Sequence, residues 1–141
     1  MKLIKSLSIA VPFYNEEKSI LDVAKVIKKL IKHLKLKNYE VIFINDASTD
    51  YSQTILKNFI KSNKNFFLVK NSKNRGLGYC IKKGILSSKK NFFLWVPGDD
   101  EHPLKGLKKL FSNFGEYDIT ITFVKNPEIR SIKRRFFSKF Y

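Results

Sequence analysis

Two hydrophobic periods alternate along the chain, and this alternation restricts its possible folds more than any other feature of the sequence. Short continuous apolar runs, typical of strands covered on both faces, stand at residues 7–11, 41–44, 66–69 and 92–96. Between these runs, apolar residues recur every three or four positions, as on one face of a helix. Successive strand–helix units favour a mostly parallel sheet with helices on both faces. The sequence therefore predicts an α/β fold, a three-layer α/β/α sandwich, in one domain over residues 1–141.

Four helices and a last strand complete the predicted order of elements. The first helix is expected over residues 19–34, and the others are marked by apolar positions within residues 55–60, 80–85 and 104–114. Ile119, Ile121 and Phe123 alternate with threonines, which predicts a strand with one less covered face. Residues 130–141 are predicted to begin a further helix.

The balance of charge indicates anionic partners without identifying them. The chain carries 28 Lys and Arg against 12 Asp and Glu, a formal net charge of +16. Such an excess attracts nucleic acid, anionic lipid or phosphorylated small molecules. The lysines are scattered along the sequence, which indicates a generally solvated basic surface.

Two further counts limit the cellular setting. Cys80 is the one cysteine, so an internal disulfide is excluded and a reducing compartment is expected. No apolar run approaches the roughly 20 residues that span a bilayer. The chain is therefore expected to be soluble or attached to a membrane surface.

Polar residues are concentrated immediately after the predicted strands, where an open parallel sheet binds its ligands. The four segments are Pro12-Phe13-Tyr14-Asn15-Glu16-Glu17, Asn45-Asp46-Ala47-Ser48-Thr49-Asp50, Asn71-Ser72-Lys73-Asn74-Arg75-Gly76-Leu77-Gly78 and Pro97-Gly98-Asp99-Asp100-Glu101-His102-Pro103. Because parallel strands end at the same edge of a sheet, we expect these loops to form one candidate site.

In this order the four segments resemble the motifs of family 2 glycosyltransferases. They are most similar to the polyprenyl-phosphate sugar transferases, such as dolichyl-phosphate mannosyltransferase, and the resemblance covers nearly the whole chain. It implies a Rossmann-like GT-A fold and transfer of a hexosyl group, with inversion, from a UDP- or GDP-sugar to a polyprenyl phosphate or other cell-envelope acceptor. The donor-binding residues that it implies are Pro12, Tyr14, Asn15, Glu16, Asp46, Arg75, Gly76 and Asp99.

Structural roles remain open for several of these residues. Asn15 and Glu16 are also suited to capping the first helix, where negative side chains favour the positive end. Asp46, to which the resemblance gives contact with the nucleobase, is also explained as a turn residue that bonds its own backbone. Asp50 followed by Gln53 resembles a capping box, so a structural role is predicted for Asp50.

A glycine pattern offers a different ligand for the same loops. Gly76 and Gly78 begin a Gly-x-Gly-x-x-Gly pattern of the kind that binds dinucleotides. However, Ile81 replaces the third glycine, and the pattern lies in the third strand–helix unit instead of the first. Nicotinamide binding is therefore disfavoured.

Asp99 and Glu101 are the predicted ligands of a divalent cation, Mg²⁺ or Mn²⁺, which would neutralise the donor diphosphate. These cations prefer oxygen ligands, and alternate side chains of an extended segment point the same way. Most relatives carry Asp-x-Asp, whereas alignment on His102-Pro103 places Pro97 at the first Asp position and keeps Asp99. A solvated acidic turn is the alternative for this loop.

Arg134 is the best match for a ligand of the acceptor phosphate, and with Asp99 it is predicted to be catalytic. The segment Arg134-Arg135-Phe136-Phe137-Ser138 resembles the acceptor-side helix of the polyprenyl-phosphate enzymes. Its basic and aromatic residues suit peripheral contact with an anionic membrane at the cytoplasmic face, or packing on sequence missing from this chain. Because relatives continue further, the resemblance implies a chain truncated on its acceptor side.

Two other classes of function stand beside the enzyme. A truncated domain could hold nucleotide without transferring a sugar. Charge alone favours a nucleic-acid binder, but Asp46, Asp99, Asp100 and Glu101 would repel phosphates in the absence of a metal. No nucleic-acid partner is therefore expected.

Overall fold

The strands and helices follow one another in the predicted alternating order. A computed structural model describes residues 6–100, 102–111 and 117–121 of the chain. Its elements are β1 (Ser6–Phe13), α1 (Ile20–His33), β2 (Asn38–Asn45), α2 (Ser52–Lys61), β3 (Phe66–Lys70), α3 (Leu77–Ser87), β4 (Phe92–Trp95) and α4 (Leu104–Leu110). All four predicted strand–helix units are present.

The four strands form one parallel sheet in the order β3-β2-β1-β4. β1 pairs with β2 along its whole length and with β4 over residues 7–10, while β2 pairs with β3 over residues 41–45. The chain thus proceeds outward from β1 through β2 to β3 and then returns to the other side of β1. Such a reversal of strand order opens a crevice beyond the carboxyl ends of the strands.

The two faces of the sheet are covered by different helices. Odd-numbered residues of β1, from Leu7 to Phe13, pack into the main core together with α1, α2 and α4. Even-numbered Ala10 packs on the other face with Ile42, Ile44 and Cys80, beneath α3. The predicted three-layer α/β/α sandwich is confirmed.

Helix α3 lies unusually close to the sheet because of one glycine. A Cβ atom added at Gly84 would stand 2.7 Å from the Cβ atom of Ala10 and 3.1 Å from Cδ1 of Ile44. Cβ contacts shorter than about 3 Å require backbone or side-chain movement, since protein interiors are already close-packed. Gly84 therefore sets the distance between α3 and the strands it covers.

The face under α3 is less completely covered than the main core. Phe67 on β3 is 47% exposed, Trp95 on β4 is 40% exposed, and Leu86 on α3 is 76% exposed. The main core instead contains fully buried side chains such as Phe43 and Leu30. The two layers of helices thus contribute unequally to stability, because burial of apolar area is the main stabilising term.

Two predictions about local structure were wrong. Pro12 was expected in the segment that follows the first strand, but it lies inside β1 and pairs with Ile44. Regular pairing with β4 ends at Ala10, before Pro12, and the main-chain O of Pro12 still accepts from the main-chain N of Gly98 at 3.0 Å. Proline is tolerated where regular pairing has ended. Ile119 and Ile121 were expected in a strand, but the described residues 117–121 form none, and both side chains are over three-quarters exposed.

Two further expectations concern the end of the chain and membrane-spanning segments. Phe123 and the predicted helix at residues 130–141 lie outside the described residues. Among the described helices, none is long and apolar enough to cross a membrane.

Candidate functional site

A cleft of about 310 Å³ opens at the carboxyl ends of the strands, at the reversal of strand order. All four strand-end loops contribute to it. Its lining residues are Pro12, Phe13, Tyr14, Glu16, Asp46, Asn74, Gly76, Leu77, Cys80, Pro97, Gly98 and Asp99. The strand-end segments singled out in the sequence therefore come together as one concave site.

Six of the residues predicted to bind a donor line this cleft, and they are Pro12, Tyr14, Glu16, Asp46, Gly76 and Asp99. Asn15 and Arg75 lie in the same loops but are not among the lining residues. Glu101 and Arg134 lie outside the described residues.

The structure adds several lining residues that the site prediction omitted. Asn74, Pro97 and Gly98 stood within the quoted motifs, so their motif positions were the available signal. Leu77 also stood within the third quoted segment, whereas Cys80, in the first turn of α3, carried only a helical signal.

Asp46 holds the third loop through four contacts to its carboxylate. Its Oδ1 accepts hydrogen bonds from Nδ2 of Asn71 at 2.8 Å and from the main-chain N of Arg75 at 2.9 Å. Its Oδ2 accepts from the main-chain N atoms of Arg75 at 3.1 Å and Gly76 at 2.7 Å. Asp46 therefore does not bond its own turn, where Asn45 accepts from the main-chain N of Ser48 instead.

A lysine fixes the amide that supports Asp46. Nζ of Lys83 donates to Oδ1 of Asn71 at 2.7 Å, which directs the Nδ2 group of Asn71 toward Asp46. Burial alone would raise the pKa of Asp46, but the bonds from Asn71, Arg75 and Gly76 outweigh it and the pKa lies below its usual value. The site thus contains a stable carboxylate.

Cys80 lies beside this carboxylate at the base of the cleft. Nδ2 of Asn71 is 3.4 Å from its sulfur. Burial, followed by the negative charge of Asp46, raises the pKa of the Cys80 thiol to about 11. The thiol therefore stays protonated near neutral pH and is a poor nucleophile.

Six hydrogen bonds join the first and second loops, between residues 15–17 and 48–52, and we call them the loop clasp. Asn15 contributes three of them. Its main-chain N donates to Oγ of Ser48 at 3.0 Å, and its Oδ1 accepts from the main-chain N of Thr49 at 2.9 Å and from Oγ1 of Thr49 at 3.4 Å. Asn15 and Ala47 adopt positive φ angles of 54° and 64°, a conformation that non-glycine residues adopt rarely. The clasp therefore supports a constrained backbone in both loops.

Glu17 both donates to and accepts from the second loop within the loop clasp. The main-chain N of Glu17 donates to Oδ2 of Asp50 at 3.0 Å, and Oε2 of Glu17 accepts from the main-chain N of Tyr51 at 3.1 Å. Glu16 adds a bond from its main-chain N to Oγ of Ser52 at 2.8 Å. The clasp sets the position of the segment that carries Tyr14 and Glu16 into the cleft.

Asp50 has the structural position predicted for it, but with different partners. Its Oδ1 accepts from the main-chain N of Ser52 at 3.1 Å, in the first turn of α2. Gln53 does not complete a capping box, because its Oε1 accepts from Nδ2 of Asn45. Burial would raise the pKa of Asp50, but the bonds from Ser52 and Glu17 lower it below the usual value.

The first helix begins without the side-chain cap considered for Asn15 and Glu16. The N-cap of α1 is Ser19, and no side chain bonds the free main-chain N–H groups there. Glu16 contributes through its main-chain O atom, which accepts from the main-chain N of Ile20 at 2.9 Å. Its side chain binds Oγ of Ser19, which also donates to the main-chain O of Gly98 at 3.0 Å.

The fourth loop packs tightly against the end of β1. A Cβ atom at Gly98 would lie 2.7 Å from the Cβ atom of Phe13, so this position requires glycine or a rearrangement of the loop. The next residue, Asp99, is half-buried and lines the cleft, whereas Asp100 is exposed with a φ angle of 58°. Gly98 thereby directs a carboxylate to the cleft wall.

The donor set of this loop fits a divalent cation that is shared with a ligand. Asp99 and Glu16 bring carboxylates to the cleft, and Mg²⁺ is usually held by one or two carboxylates together with substrate phosphates. Within the described residues no group of three His, Cys, Asp or Glu side chains could enclose a metal without such help.

An exposed arginine and tyrosine lie together beside the third loop. The guanidinium carbon of Arg75 lies 5.0 Å from the ring centroid of Tyr79, a cation–π contact. Both residues are exposed. The contact places a positive charge near the cleft without making it part of the wall.

Comparison with known proteins agrees with this architecture. The model of the family described as Glycosyl transferase family 2 matches residues 8–138. A dolichyl-phosphate beta-glucosyltransferase of Dictyostelium discoideum is 34% identical over 111 residues, covering 74% of this chain and 34% of the relative. The chain spans between 30% and 48% of the length of the first curated relatives that it matches.

Solved structures show the same fold. Staphylococcus aureus TarS residues 1–349 in complex with UDP-GlcNAc has a TM-score of 0.64 at 24% identity, covering 90% of this chain and 36% of that one. The mannosyltransferase PcManGT of Pyrobaculum calidifontis, in complex with GDP-Man and Mn²⁺, has a TM-score of 0.58 at 18% identity, covering 66% and 27%. The predicted GT-A fold is confirmed.

Proposed function

Because the chain belongs to glycosyl transferase family 2, we propose that its cleft binds the nucleotide diphosphate part of a UDP- or GDP-sugar. The complete protein would transfer the hexosyl group, with inversion, to a polyprenyl phosphate or another cell-envelope acceptor. The observation that carries this proposal is the convergence of six predicted donor-binding residues on one cleft of about 310 Å³. A pocket of this size falls at the lower end of the range for small-molecule sites.

We assign each part of the donor to the cleft residues whose chemistry suits it. Tyr14, which is 45% exposed at the rim, offers an aromatic face to a base. Gly76, with a φ angle of 83°, lets the main chain approach a ligand closely. Asp46 supports this loop from behind, and any contact with a base would use the lone pairs that its four bonds leave.

Asp99 would hold Mg²⁺ or Mn²⁺ together with the donor diphosphate, and Glu101 is the second proposed ligand. When bound, such a cation neutralises the charge that develops on a departing diphosphate. The relevance of a metal is supported by the Mn²⁺ in the PcManGT complex and by the carboxylates of Asp99 and Glu16 at the cleft.

The acceptor side of the proposal rests on relatives and on the sequence. Several curated relatives are dolichyl-phosphate beta-glucosyltransferases, and Arg134 is the proposed ligand of an acceptor phosphate. A phosphate acceptor is already an anion near neutral pH and needs no general base to remove a proton. We further propose that the protein acts at the cytoplasmic face of a membrane, with residues 130–141 in contact with anionic lipid.

Calorimetric titration with UDP and GDP, each with and without Mn²⁺, tests donor binding directly. We expect binding to at least one nucleotide, strengthened by Mn²⁺. Asp99→Asn should remove the metal-dependent part, because the substitution removes the charge that attracts the cation. Absence of binding to both nucleotides under every metal condition would contradict the proposal.

A matched control separates loss of a ligand from loss of one negative charge. Asp22→Asn changes an exposed carboxylate in the first turn of α1, where it pairs with Lys25 and lies away from the cleft lining. It should leave binding unchanged. Equal losses in Asp99→Asn and Asp22→Asn would show that general charge, and not the cleft, controls affinity. Nucleotide binding without sugar transfer by the complete protein would favour the non-catalytic alternative.

A further inference from the structure

The outer surface of the main helical layer is strongly basic. Helices α1, α2 and α4 pack side by side on one face of the sheet, and their solvent side carries a set of lysines that we call the lysine face. Its members are Lys25, Lys28, Lys29, Lys32, Lys57, Lys61, Lys105, Lys108 and Lys109. All are exposed except Lys108, which is half-buried. The fold thus brings lysines from three separate segments of the sequence onto one side of the sheet.

The three helices that carry the lysine face contain one acidic residue. Asp22 is the only acidic residue in the three helices, and its Oδ1 lies 3.1 Å from Nζ of Lys25. Most other described carboxylates instead lie in the strand-end loops around the cleft. They are Glu16, Glu17, Asp46, Asp50, Asp99 and Asp100. Charge is therefore unevenly distributed over the described residues, and such a distribution orients a protein in an external field.

The shape and composition of the lysine face suit a broad anionic surface. α1 has 14 residues and is therefore about 21 Å long, and it lies between α2 and α4. Every cation of the three helices is a lysine, a hydrated point charge, whereas nucleic-acid recognition favours the planar fork of arginine. These helices also present no large exposed hydrophobic side chain on which a base could stack.

We infer that the lysine face docks the protein on an anionic lipid bilayer by electrostatic attraction. This surface is separate from the cleft, so the inference goes beyond the proposed donor binding and does not depend on it. Without exposed apolar side chains on these helices, docking is peripheral and reversible, and it weakens as salt screens the charges. The attraction acts through the described helices in addition to any contribution of residues 130–141.

Two variants with the same loss of charge test the inference on the full chain. The face variant carries Lys29→Gln, Lys32→Gln, Lys57→Gln and Lys105→Gln. It keeps both the Lys25–Asp22 ion pair and Lys28, whose Nζ lies 5.9 Å from the ring centroid of Phe59. The control variant carries Lys70→Gln, Lys73→Gln, Lys82→Gln and Lys89→Gln, all exposed and outside the three helices. Glutamine has nearly the helix propensity of lysine, so both should fold.

Binding is measured by co-sedimentation with vesicles of phosphatidylcholine alone or with roughly 30% phosphatidylglycerol, since anionic lipid supplies the surface potential. A lysine near such a surface contributes about fivefold in affinity. If only two of the four contact the lipid, the face variant should lose about 25-fold in binding to anionic vesicles. The control variant should lose less than about threefold, because its lysines lie outside the three helices and charges farther from the lipid are screened.

Three results would overturn the inference. The first is equal binding of the unmodified protein to both kinds of vesicle. The second is an equal loss in the two variants, which would assign binding to net charge. The third comes from titration with a duplex and a single-stranded oligonucleotide. If the protein binds either oligonucleotide more tightly than anionic vesicles, and only the face variant loses that binding, the lysine face is a nucleic-acid surface.

Discussion

Replacing Asp46 by asparagine keeps the shape of the side chain but removes one acceptor oxygen. Both oxygens of Asp46 accept bonds from N–H donors, so either orientation of the new amide directs an NH₂ group toward a donor. If the NH₂ group takes the place of Oδ2, it faces the main-chain N–H groups of Arg75 and Gly76, which lose their acceptor. If the NH₂ group takes the place of Oδ1, it faces Nδ2 of Asn71. The amide of Asn71 cannot flip to offer its oxygen instead, because that oxygen accepts a hydrogen bond from Lys83.

The expected cost is therefore larger than for a typical isosteric substitution. Hydrogen bonds to a charged group contribute about 1.5–3 kcal/mol each, and a buried donor left without a partner costs about 1–3 kcal/mol. Asp46 is only 4% exposed, so water has little access to the donors that lose their acceptor. We expect Asp46→Asn to lower the free energy of unfolding by about 2–4 kcal/mol.

Urea denaturation followed by circular dichroism measures this free energy, and Asp50→Asn is the control. Asp50 is less buried than Asp46 and belongs to a loop with exposed neighbours, so its substitution should cost about 1 kcal/mol. The double variant Asp46→Asn/Lys83→Met should cost less than the sum of its parts by about 1–2 kcal/mol, because Asn71 is then free to turn over. A cost for Asp46→Asn no greater than that for Asp50→Asn, or strict additivity with Lys83→Met, would refute the reasoning.

Two other predictions concern packing and acid stability. Gly84→Ala should destabilise the protein by about 1–2 kcal/mol in thermal or urea unfolding, because its Cβ atom would collide with Ala10. Gly106→Ala is the control, because a Cβ atom there meets nothing within 4 Å, and it should be neutral or stabilise the protein by up to about 1 kcal/mol. Equal effects of the two substitutions would argue against close contact of α3 with the sheet. The second prediction concerns Asp46 and Asp50, whose pKa values are lowered in the folded protein. Their contribution to stability is therefore complete above the pKa of an unfolded Asp, about 3.9. It is lost as the pH falls through the pKa values of the folded protein. Urea titrations from neutral to acidic pH should show stability declining below about pH 4, with a shallower decline in Asp50→Asn; an unchanged slope would contradict this assignment.

Local periodicity was sufficient to predict the elements of this fold. The apolar positions of α1, including Ile20, Ile27 and Leu30, repeat with the helical period and are all buried as expected. The end of β1 was predicted wrongly at Pro12. Whether a proline ends a strand depends on the pairing of the neighbouring strands, which the local sequence does not specify. Ile119 and Ile121 show the opposite failure, since an alternating pattern forms a strand only where another strand is available to pair with it.

The candidate site was predictable as a location but less so as a set of contacts. Parallel strands place their carboxyl ends together, which is why loops distant in sequence could be assigned to one edge. The support of Asp46 by Asn71 and Lys83 joins residues up to 37 positions apart in the chain. The pairing of Glu17 with Asp50 likewise spans 33 positions. Short-range rules such as the capping box cannot identify partners of that kind.

Among the described residues, α3 is the one helix over the second face of the sheet, and this has a consequence for how the protein opens. α3 carries Leu77 and Cys80 of the cleft wall, yet its surroundings are less buried than those of α1. Local unfolding begins where few apolar contacts hold an element, so α3 should detach before the main core and take one wall of the cleft with it. A ligand that needs this wall must then slow the exchange of α3 amide hydrogens with solvent, in proportion to its occupancy. The amides of α1, which exchange only through global opening, would serve as the internal reference for that measurement.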